Sequence, residues 1–168
     1  MRRFLDTLYL VSGGLAALFM VGVLAAVVTS IVSRQMGVYI PGLDAYAGYS
    51  MAGAGFLALA HTFRCGEHIR VSLVLAALPP AGRHRLDIFA LLVACLASGN
   101  LSWYSLSLVL DSYAYMDISV GNDATPLWIP QITMAVGTFI FFIAVLDETI
   151  ARLRGIPEAQ RDSESYSE

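Results

Sequence analysis

Four stretches of the sequence carry no charged side chain, and each is long enough to cross a membrane as a helix. They cover residues 7–33, 45–63, 88–110 and 124–146. A helix rises about 1.5 Å per residue, so each stretch matches a hydrocarbon core of about 30 Å. An unpaired charge at the bilayer centre costs several kcal/mol, which makes such runs rare in soluble proteins. With 57% hydrophobic and 14% charged residues, the chain is predicted to be an all-α membrane protein with four transmembrane helices.

The arginines are distributed unevenly among the segments that bracket these runs. Nine of the ten cationic residues lie before the first run, between the second and third, or after the fourth, and the exception is Arg34. Because cytoplasmic loops carry an excess of positive charge, both ends of the chain are predicted to be cytoplasmic. The segment from Asp111 to Asp123, on the opposite face, carries three aspartates and no cation.

The sequence predicts one domain and a short tail. The membrane domain covers residues 1–155, with spans at about 8–33, 45–63, 86–111 and 126–147. The first run is longer than the 7–15 apolar residues of a signal peptide, so we expect a retained span. The tail, residues 156–168, is rich in Asp, Ser and Glu and is predicted to be a disordered cytoplasmic segment.

Basic side chains cluster in the segment between spans two and three. Its apolar part, residues 71–78, is too short to cross the membrane. It is predicted to form a short interfacial helix along the lipid headgroups, which Pro79 and Pro80 would end. We expect the basic side chains around it to contact lipid phosphates or another subunit: Arg64, His68, Arg70, Arg83 and Arg85.

Small and polar side chains within the spans predict how the helices pack. Residues four apart in span one (Gly14, Gly22, Ala26, Ser30) and in span three (Ala90, Ala94, Ser98, Ser102) form ridges that allow close approach of another helix. The amide of Asn100, in span three, is expected to hydrogen-bond to a neighbouring helix.

Most tyrosines and both tryptophans map to the non-cytoplasmic half of the chain. One interpretation is an aromatic belt at that membrane surface. The other is a contact surface for a protein partner outside the cytoplasm, since Tyr and Trp are common interface anchors. Its candidate residues are Tyr113, Tyr115, Asp117 and Trp128.

The spans lack the side chains that most membrane chemistry requires. None has a carboxylate, arginine or paired histidine near its middle, and His61, the histidine within the uncharged runs, lies near an end. Cys65 and Cys95 indicate neither a disulfide nor a metal site. No nucleophile with a base, no phosphate-binding loop and no nucleic-acid-binding pattern is present. We therefore expect no enzymatic activity, no cofactor and no metal in this chain.

Several local motifs, taken in order, resemble a known family. Residues 64–71 read Arg-Cys-Gly-Glu-His-Ile-Arg-Val, Leu78-Pro79 follows, and residues 126–130 read Pro-Leu-Trp-Ile-Pro before a span that contains Gly137. With four spans and both ends inside, this arrangement resembles the small membrane subunit, of the DctQ type, of tripartite ATP-independent periplasmic (TRAP) transporters. The resemblance covers roughly residues 5–155.

The resemblance implies a role in a three-part secondary transporter of the bacterial inner membrane. A periplasmic solute-binding protein of the DctP type would deliver an organic acid to a large membrane subunit of the DctM type. That large subunit would hold the substrate and sodium sites and move as an elevator, while the small subunit scaffolds and anchors it. His68, Ile69 and Val71 fall on one family motif, and Trp128 and Pro130 on another. The family often has an acidic residue where this chain has Ser72.

Two other functions stay open from the residues themselves. One is a membrane anchor of a redox complex that binds quinone or haem between its helices. The other is a small transporter or channel formed by several copies of this chain.

Overall fold

Four long helices make up most of the computed structural model, which describes residues 2–65, 80–121 and 123–154. They are α1 (Arg2–Gln35), α2 (Leu43–Arg64), α3 (Pro80–Ala114) and α4 (Trp128–Leu153). The described residues contain no strand, and the one β-bridge among them pairs Ile118 with Pro126. The predicted interfacial helix and the tail lie outside the described residues.

The helices continue past the uncharged runs that predicted them. The fourth helix begins at Trp128 and ends at Leu153, so it includes Asp147, Glu148 and Arg152. Backbone hydrogen bonding does not stop at the membrane surface, and charged side chains are acceptable once the helix has left the hydrocarbon. Pro130 lies in the first turn of this helix, where a missing N–H breaks no hydrogen bond.

The four helices lie side by side in an open row. α1 packs on α2, α2 on α4, and α4 on α3, while within the described residues α3 contacts neither α1 nor α2. The order across the row is therefore α1, α2, α4, α3. One end of the row holds the first residues of α1 and α3 and the last residues of α2 and α4, and we call it the arginine-rich end. The opposite end holds the loops α1–α2 and α3–α4, and we call it the loop end.

Three of the described helices, α1, α3 and α4, are long and apolar enough to cross a membrane. The fourth, α2, is less apolar because it is built largely from Gly, Ala, Ser and Tyr. It has a neighbour on each side, α1 and α4, and buries Gly53, Ala54, Leu57 and Ala60. A helix flanked in this way needs fewer large apolar side chains toward lipid than one at an edge.

The contact between α1 and α2 follows a spacing of three and four residues. Tyr9, Ser12, Ala16, Ser30 and Ser33 are buried along it, a seven-residue repeat typical of helices that cross at a shallow angle. The predicted four-residue ridge is correct only in part. Gly22 faces Ser50 of α2, where a Cβ would lie 3.4 Å from the Ser50 hydroxyl oxygen, but Gly14 has no atom of another residue in range and is exposed.

The α3 side of the row shows the same repeat. Ser98, Ser102, Ser105 and Ser112 are buried, so the predicted ridge is correct at its last two members but not at Ala90, which is exposed. The predicted hydrogen bond from Asn100 to a neighbouring helix is not found among the described residues. The amide nitrogen of Asn100 donates to the carbonyl oxygen of Leu96 in its own helix at 3.0 Å, and the side chain is exposed.

The middle of the row is closed by a backbone-to-backbone contact. Gly137 of α4 lies on α2 where a Cβ would be 2.6 Å from the carbonyl carbon and oxygen of Phe56. On the other side of α4, the ring of Phe142 covers Gly99 of α3, with 3.1 Å to a Cβ placed there. A buried apolar cluster, formed by Tyr9, Ala60, Ile140 and Ala144, lies where α1, α2 and α4 meet near the arginine-rich end.

Candidate partner-binding surfaces at the two ends of the row

Ion pairs tie the helices together at the arginine-rich end. The guanidinium of Arg64, at the end of α2, lies 3.0 Å from a carboxylate oxygen of Asp6 in α1. Arg152 of α4 lies 2.8 Å from Glu148 in its own helix and 3.5 Å from Asp87 of α3. Each outer helix is thus joined to its inner neighbour by one arginine.

His61 is packed between α1 and α2 at this end. A Cβ at Gly13 would lie 2.8 Å from Cγ of the imidazole, so glycine provides the space for the ring. The Cys65 sulfur lies 3.6 Å from Nε2 of His61, one turn further along α2. No metal site was predicted at the cysteines, and the approach of His61 to Cys65 follows from their spacing of four residues along α2. Two donors are fewer than the three or four protein ligands of a zinc site, and no group of three or more His, Cys, Asp or Glu occurs in the described residues.

The basic residues predicted to contact lipid or a partner are described only in part. Arg64 is ion-paired with Asp6, and Arg85 is exposed on the first turns of α3. His68 and Arg70, and the side chain of Arg83, lie outside the described residues. The contact role of all five stays a prediction.

At the loop end, Asp123 accepts hydrogen bonds from two elements. The hydroxyl groups of Tyr49, in α2, and Ser119, in the α3–α4 loop, each donate to its carboxylate at 2.9 Å. Gly42, which directly precedes α2 and has a left-handed φ of 85°, lies against it, and a Cβ there would be 2.8 Å from Cβ of Asp123. Asp123 therefore attaches the α3–α4 loop to the start of α2.

The hydrogen bonds to Asp123 stabilise its ionised form. Partial loss of hydration raises the pKa of this carboxyl, but hydrogen bonds from Thr125, Ser119 and Tyr49 outweigh that effect and lower the pKa to about 2. The side chain is consequently an anion throughout the physiological pH range. It was counted among the acidic loop residues in the sequence, but nothing there indicated that Tyr49 would be its partner.

The loop around Asp123 is folded tightly on itself. Backbone N–H groups of Asp117, Ser119 and Leu127 donate to the carbonyl oxygens of Ser112, Thr125 and Asp117, respectively. Outside this framework, the side chains of Tyr115, Met116 and Val120 are exposed. The loop thus presents apolar side chains from a fixed backbone.

The four residues predicted to contact a periplasmic partner lie at this end. Tyr113 stacks edge-to-face on Trp128, with ring centroids 5.7 Å apart and planes at 89°. Tyr115 and Asp117 are exposed in the loop that follows α3. The structure brings Tyr113 and Trp128 together, while Tyr115 and Asp117 lie further along the loop.

Arg34, the one arginine outside the three basic segments of the sequence, has a carboxylate partner at the loop end. Its guanidinium lies 2.9 Å from Asp44, whose other carboxylate oxygen accepts a hydrogen bond from Ser30 at 3.2 Å. A neighbouring carboxylate therefore balances the one positive charge on the otherwise acidic side.

The described residues at the two ends of the row form ion pairs between helices, an edge-to-face ring contact and a hydrogen-bonded loop with exposed side chains. The family model described as "Tripartite ATP-independent periplasmic transporters, DctQ component" matches residues 23–155, well over half of the chain. The chain belongs to the DctQ family. It is the small membrane subunit of a TRAP transporter, as the motifs around residues 64–71 and 126–130 indicated. No curated protein matched this DctQ chain in a sequence comparison.

Membership of the family determines how the two ends should be interpreted. A DctQ component is one part of a bacterial transporter and belongs to a set of associating subunits. Ion pairs and packed loops in such a subunit keep its helices in register, and its exposed side chains are available to lipid and to the other components.

Proposed function

We propose that this chain is the non-catalytic small permease subunit of a sodium-coupled TRAP transporter in the bacterial inner membrane. It scaffolds and anchors a large, elevator-type membrane subunit of the DctM type. That subunit takes up an organic acid delivered by a periplasmic binding protein of the DctP type. The observation that carries the proposal is a row of helices fixed at both ends, with no carboxylate, arginine or histidine in the middle of any helix.

The absence of such groups supports a division of labour between subunits. Ions and ionised substrates that cross a membrane are normally met by ionisable or strongly polar groups facing a protected path. Among the described residues, the buried polar groups are uncharged: serine and threonine hydroxyls, the hydroxyl of Tyr9 and the amide oxygen of Gln131. Thr138, for example, donates to the carbonyl oxygens of Met134 and Ala135 in its own helix. The sodium and substrate sites are accordingly assigned to the large subunit.

The proposal includes four spans with both ends in the cytoplasm. α2 has 22 residues and reaches about 33 Å at about 1.5 Å per residue, which is enough for a core of about 30 Å. The positions of Arg64, Arg85 and Arg152 at one end of the row support a cytoplasmic location for that end.

Cysteine labelling tests the orientation. In a variant with Cys65 and Cys95 replaced by Ser, a cysteine is introduced by Val120→Cys or by Arg154→Cys. A membrane-impermeant maleimide added to spheroplasts should label the first and reach the second only after lysis. Labelling of Arg154→Cys in unbroken spheroplasts would contradict the orientation.

Reconstitution tests the function. A large membrane subunit should co-purify with this chain, and uptake of an organic acid into proteoliposomes should require both proteins together with sodium and the binding protein. Saturable uptake by this chain alone would refute the scaffold role and favour a homo-oligomeric transporter. A Soret absorption band or a stoichiometric quinone in the purified chain would favour the redox anchor.

The loop end is proposed to contact the binding protein. Its support is the exposed side chains of Tyr115 and Asp117 on a loop that backbone hydrogen bonds and Asp123 hold in place. A photoreactive residue at Tyr115 should form an adduct with the binding protein, whereas one at Leu10, near the opposite end of the row, should not. Adducts confined to the large subunit would argue against this contact.

A further inference from the structure

The face of α3 that points away from α4 differs from the other membrane-facing surfaces of the row. Asn100 lies two residues from both Ser98 and Ser102, which are buried toward α4. At about 100° per residue, its side chain leaves the helix on the opposite side. Asn100 is also at the middle of the membrane-spanning part of the helix, Arg85–Ala114.

The Asn100 amide has hydrogen-bonding groups that the described part of the chain leaves unused. It carries two N–H donors and a carbonyl acceptor. Among the described residues, its one hydrogen bond runs from Nδ2 to the carbonyl oxygen of Leu96, 3.0 Å away. Lipid tails can neither donate nor accept, so an exposed amide at this depth is unfavourable unless another protein meets it.

The opposite edge of the row, α1, shows what a lipid-facing surface of this chain looks like. Between Leu10 and Val28, every exposed residue of α1 is apolar, and the large ones are Leu, Val and Met. Both helices are edge helices with one neighbour along most of their length. An exposed amide in the membrane therefore occurs on the α3 edge and not on the α1 edge between Leu10 and Val28.

The neighbours of Asn100 fit a protein partner. Leu96, Ala97, Trp103 and Tyr104 lie three or four residues away and share its side of the helix, and all four are exposed. Ala97 permits close approach of another helix. Trp103 and Tyr104 offer large contact areas with polar groups, a combination enriched in protein interfaces.

We infer that this surface, formed by Leu96, Ala97, Asn100, Trp103 and Tyr104 and called the α3 outer face, binds the large membrane subunit. The Asn100 amide hydrogen-bonds to that subunit within the membrane. The inference rests on the proposed function, which supplies the large subunit as occupant. It adds that the row binds this subunit through the α3 edge and turns its α1 edge to lipid.

Photo-crosslinking in the assembled complex tests the inference. Benzoylphenylalanine is placed either at Leu96, which is 69% exposed, or at the matched Leu18 of α1, which is 66% exposed. The chain is co-expressed with its large subunit and binding protein, and membranes are irradiated. The expected result is an adduct with the large subunit from position 96 and none from position 18.

The possible outcomes separate the inference from the proposed function. Adducts with the large subunit from position 18 but not from position 96, or an adduct at 96 joining two copies of this chain, overturn the inference while the large subunit still co-purifies. If the wild-type chain retains no larger membrane protein, the proposed function fails and the inference with it.

Substitution of the amide gives a second measurement. Asn100→Leu should lower the amount of large subunit retained on the purified chain by about threefold to tenfold, the range expected for one hydrogen bond between helices in a membrane. The amount of this chain in the membrane should not change, because Asn100 supports no contact within the row. Asn100→Gln should restore part of the retention, and equal retention by wild type and Asn100→Leu would overturn the role of the amide.

Discussion

The contact between α2 and α4 depends on Gly137, and a single methyl group there should weaken the whole row. In a Gly137→Ala variant, the new Cβ would lie 2.6 Å from the carbonyl carbon and oxygen of Phe56 and 2.9 Å from the backbone nitrogen of Leu57. Ordinary contacts begin at 3.4 Å, so the two helices must separate locally by about 3.4 − 2.6, or about 0.8 Å. The atoms in the way belong to the backbone, which cannot rotate aside.

The energetic cost follows from that separation. A gap of about 0.5–1 Å removes a quarter to a half of the attraction between facing atoms, and overpacked sites typically cost about 1–3 kcal/mol. Alanine also favours a helix over glycine by up to about 1 kcal/mol, which offsets part of the loss. Gly14→Ala and Gly55→Ala are matched controls, because no atom of another residue lies within 4 Å of a Cβ at either site.

Thermal unfolding of the full-length chain in detergent provides the assay. We expect the Tm of Gly137→Ala to lie roughly 2–10 °C below that of the two control variants. The controls should melt at or slightly above the wild-type temperature. A Gly137→Ala variant that melts together with Gly14→Ala would show that the helices are not in backbone contact at Phe56, and the order of helices in the row would have to be reconsidered.

Three further changes probe the contacts at the two ends. Because the folded-state pKa of Asp123 is about 2, below its ordinary value of 3.8, its ionised form favours the folded loop above about pH 4, and this stabilisation is lost as the pH falls toward 2. Hydrogen exchange of residues 117–127 should therefore increase between pH 4 and 2.5 in the wild type beyond the intrinsic pH dependence, but not in Asp123→Asn, which should already exchange faster at pH 5. Arg152→Met should lower the stability by about 1–2 kcal/mol, since the Arg152 side chain is 20% exposed and bridges α3 and α4. The exposed Arg154 serves as control, and an equal loss from Arg154→Met would contradict this role. Asp44→Asn should change the stability by less than about 1 kcal/mol, because Arg34 and Asp44 are 64% and 77% exposed, and a larger loss would show that the pair is better shielded than this.

The helices could be predicted from the sequence, but their lateral order could not. An uncharged run shows only that a segment can lie in the membrane. Every span must meet this condition, so the run does not indicate which helix lies beside it. Small residues are similarly ambiguous. Gly14 and Gly22 belong to one four-residue series, yet Gly22 faces Ser50 of α2 and Gly14 is exposed. Residues four apart are turned by about 40° around the helix, so a long four-residue series does not stay on one contact surface.

The sequence showed which polar residues lie near the ends of the helices, but it did not show which of them contact each other. Asp123 and Tyr49 are separated by 74 positions in the sequence, and no local pattern connects a loop aspartate with a tyrosine of another helix. Their pairing depends on α2 and α4 running side by side in the same direction, which is a property of the whole row. Asn100 shows the opposite case, since the amide was recognised from the sequence, but which helix lies beside it could not be predicted.

The contacts between helices divide the row into two hairpins and one joint. α1 with α2 and α3 with α4 are antiparallel pairs, each closed at the arginine-rich end by one arginine. The joint between them is the parallel contact of α2 with α4, closed by Asp123 and Tyr49 at the loop end, by Gly137 in the middle, and by edge-to-face packing of Phe63 on Phe141 near the other end. A joint with contacts at three levels along the helices resists both sliding and hinging of the hairpins.

Because the edges of the row differ, with apolar side chains on α1 and an amide on α3, a large subunit bound to α3 would be backed by a plate of four helices embedded in lipid. Under the proposed function, such a plate would supply the fixed reference against which the large subunit moves.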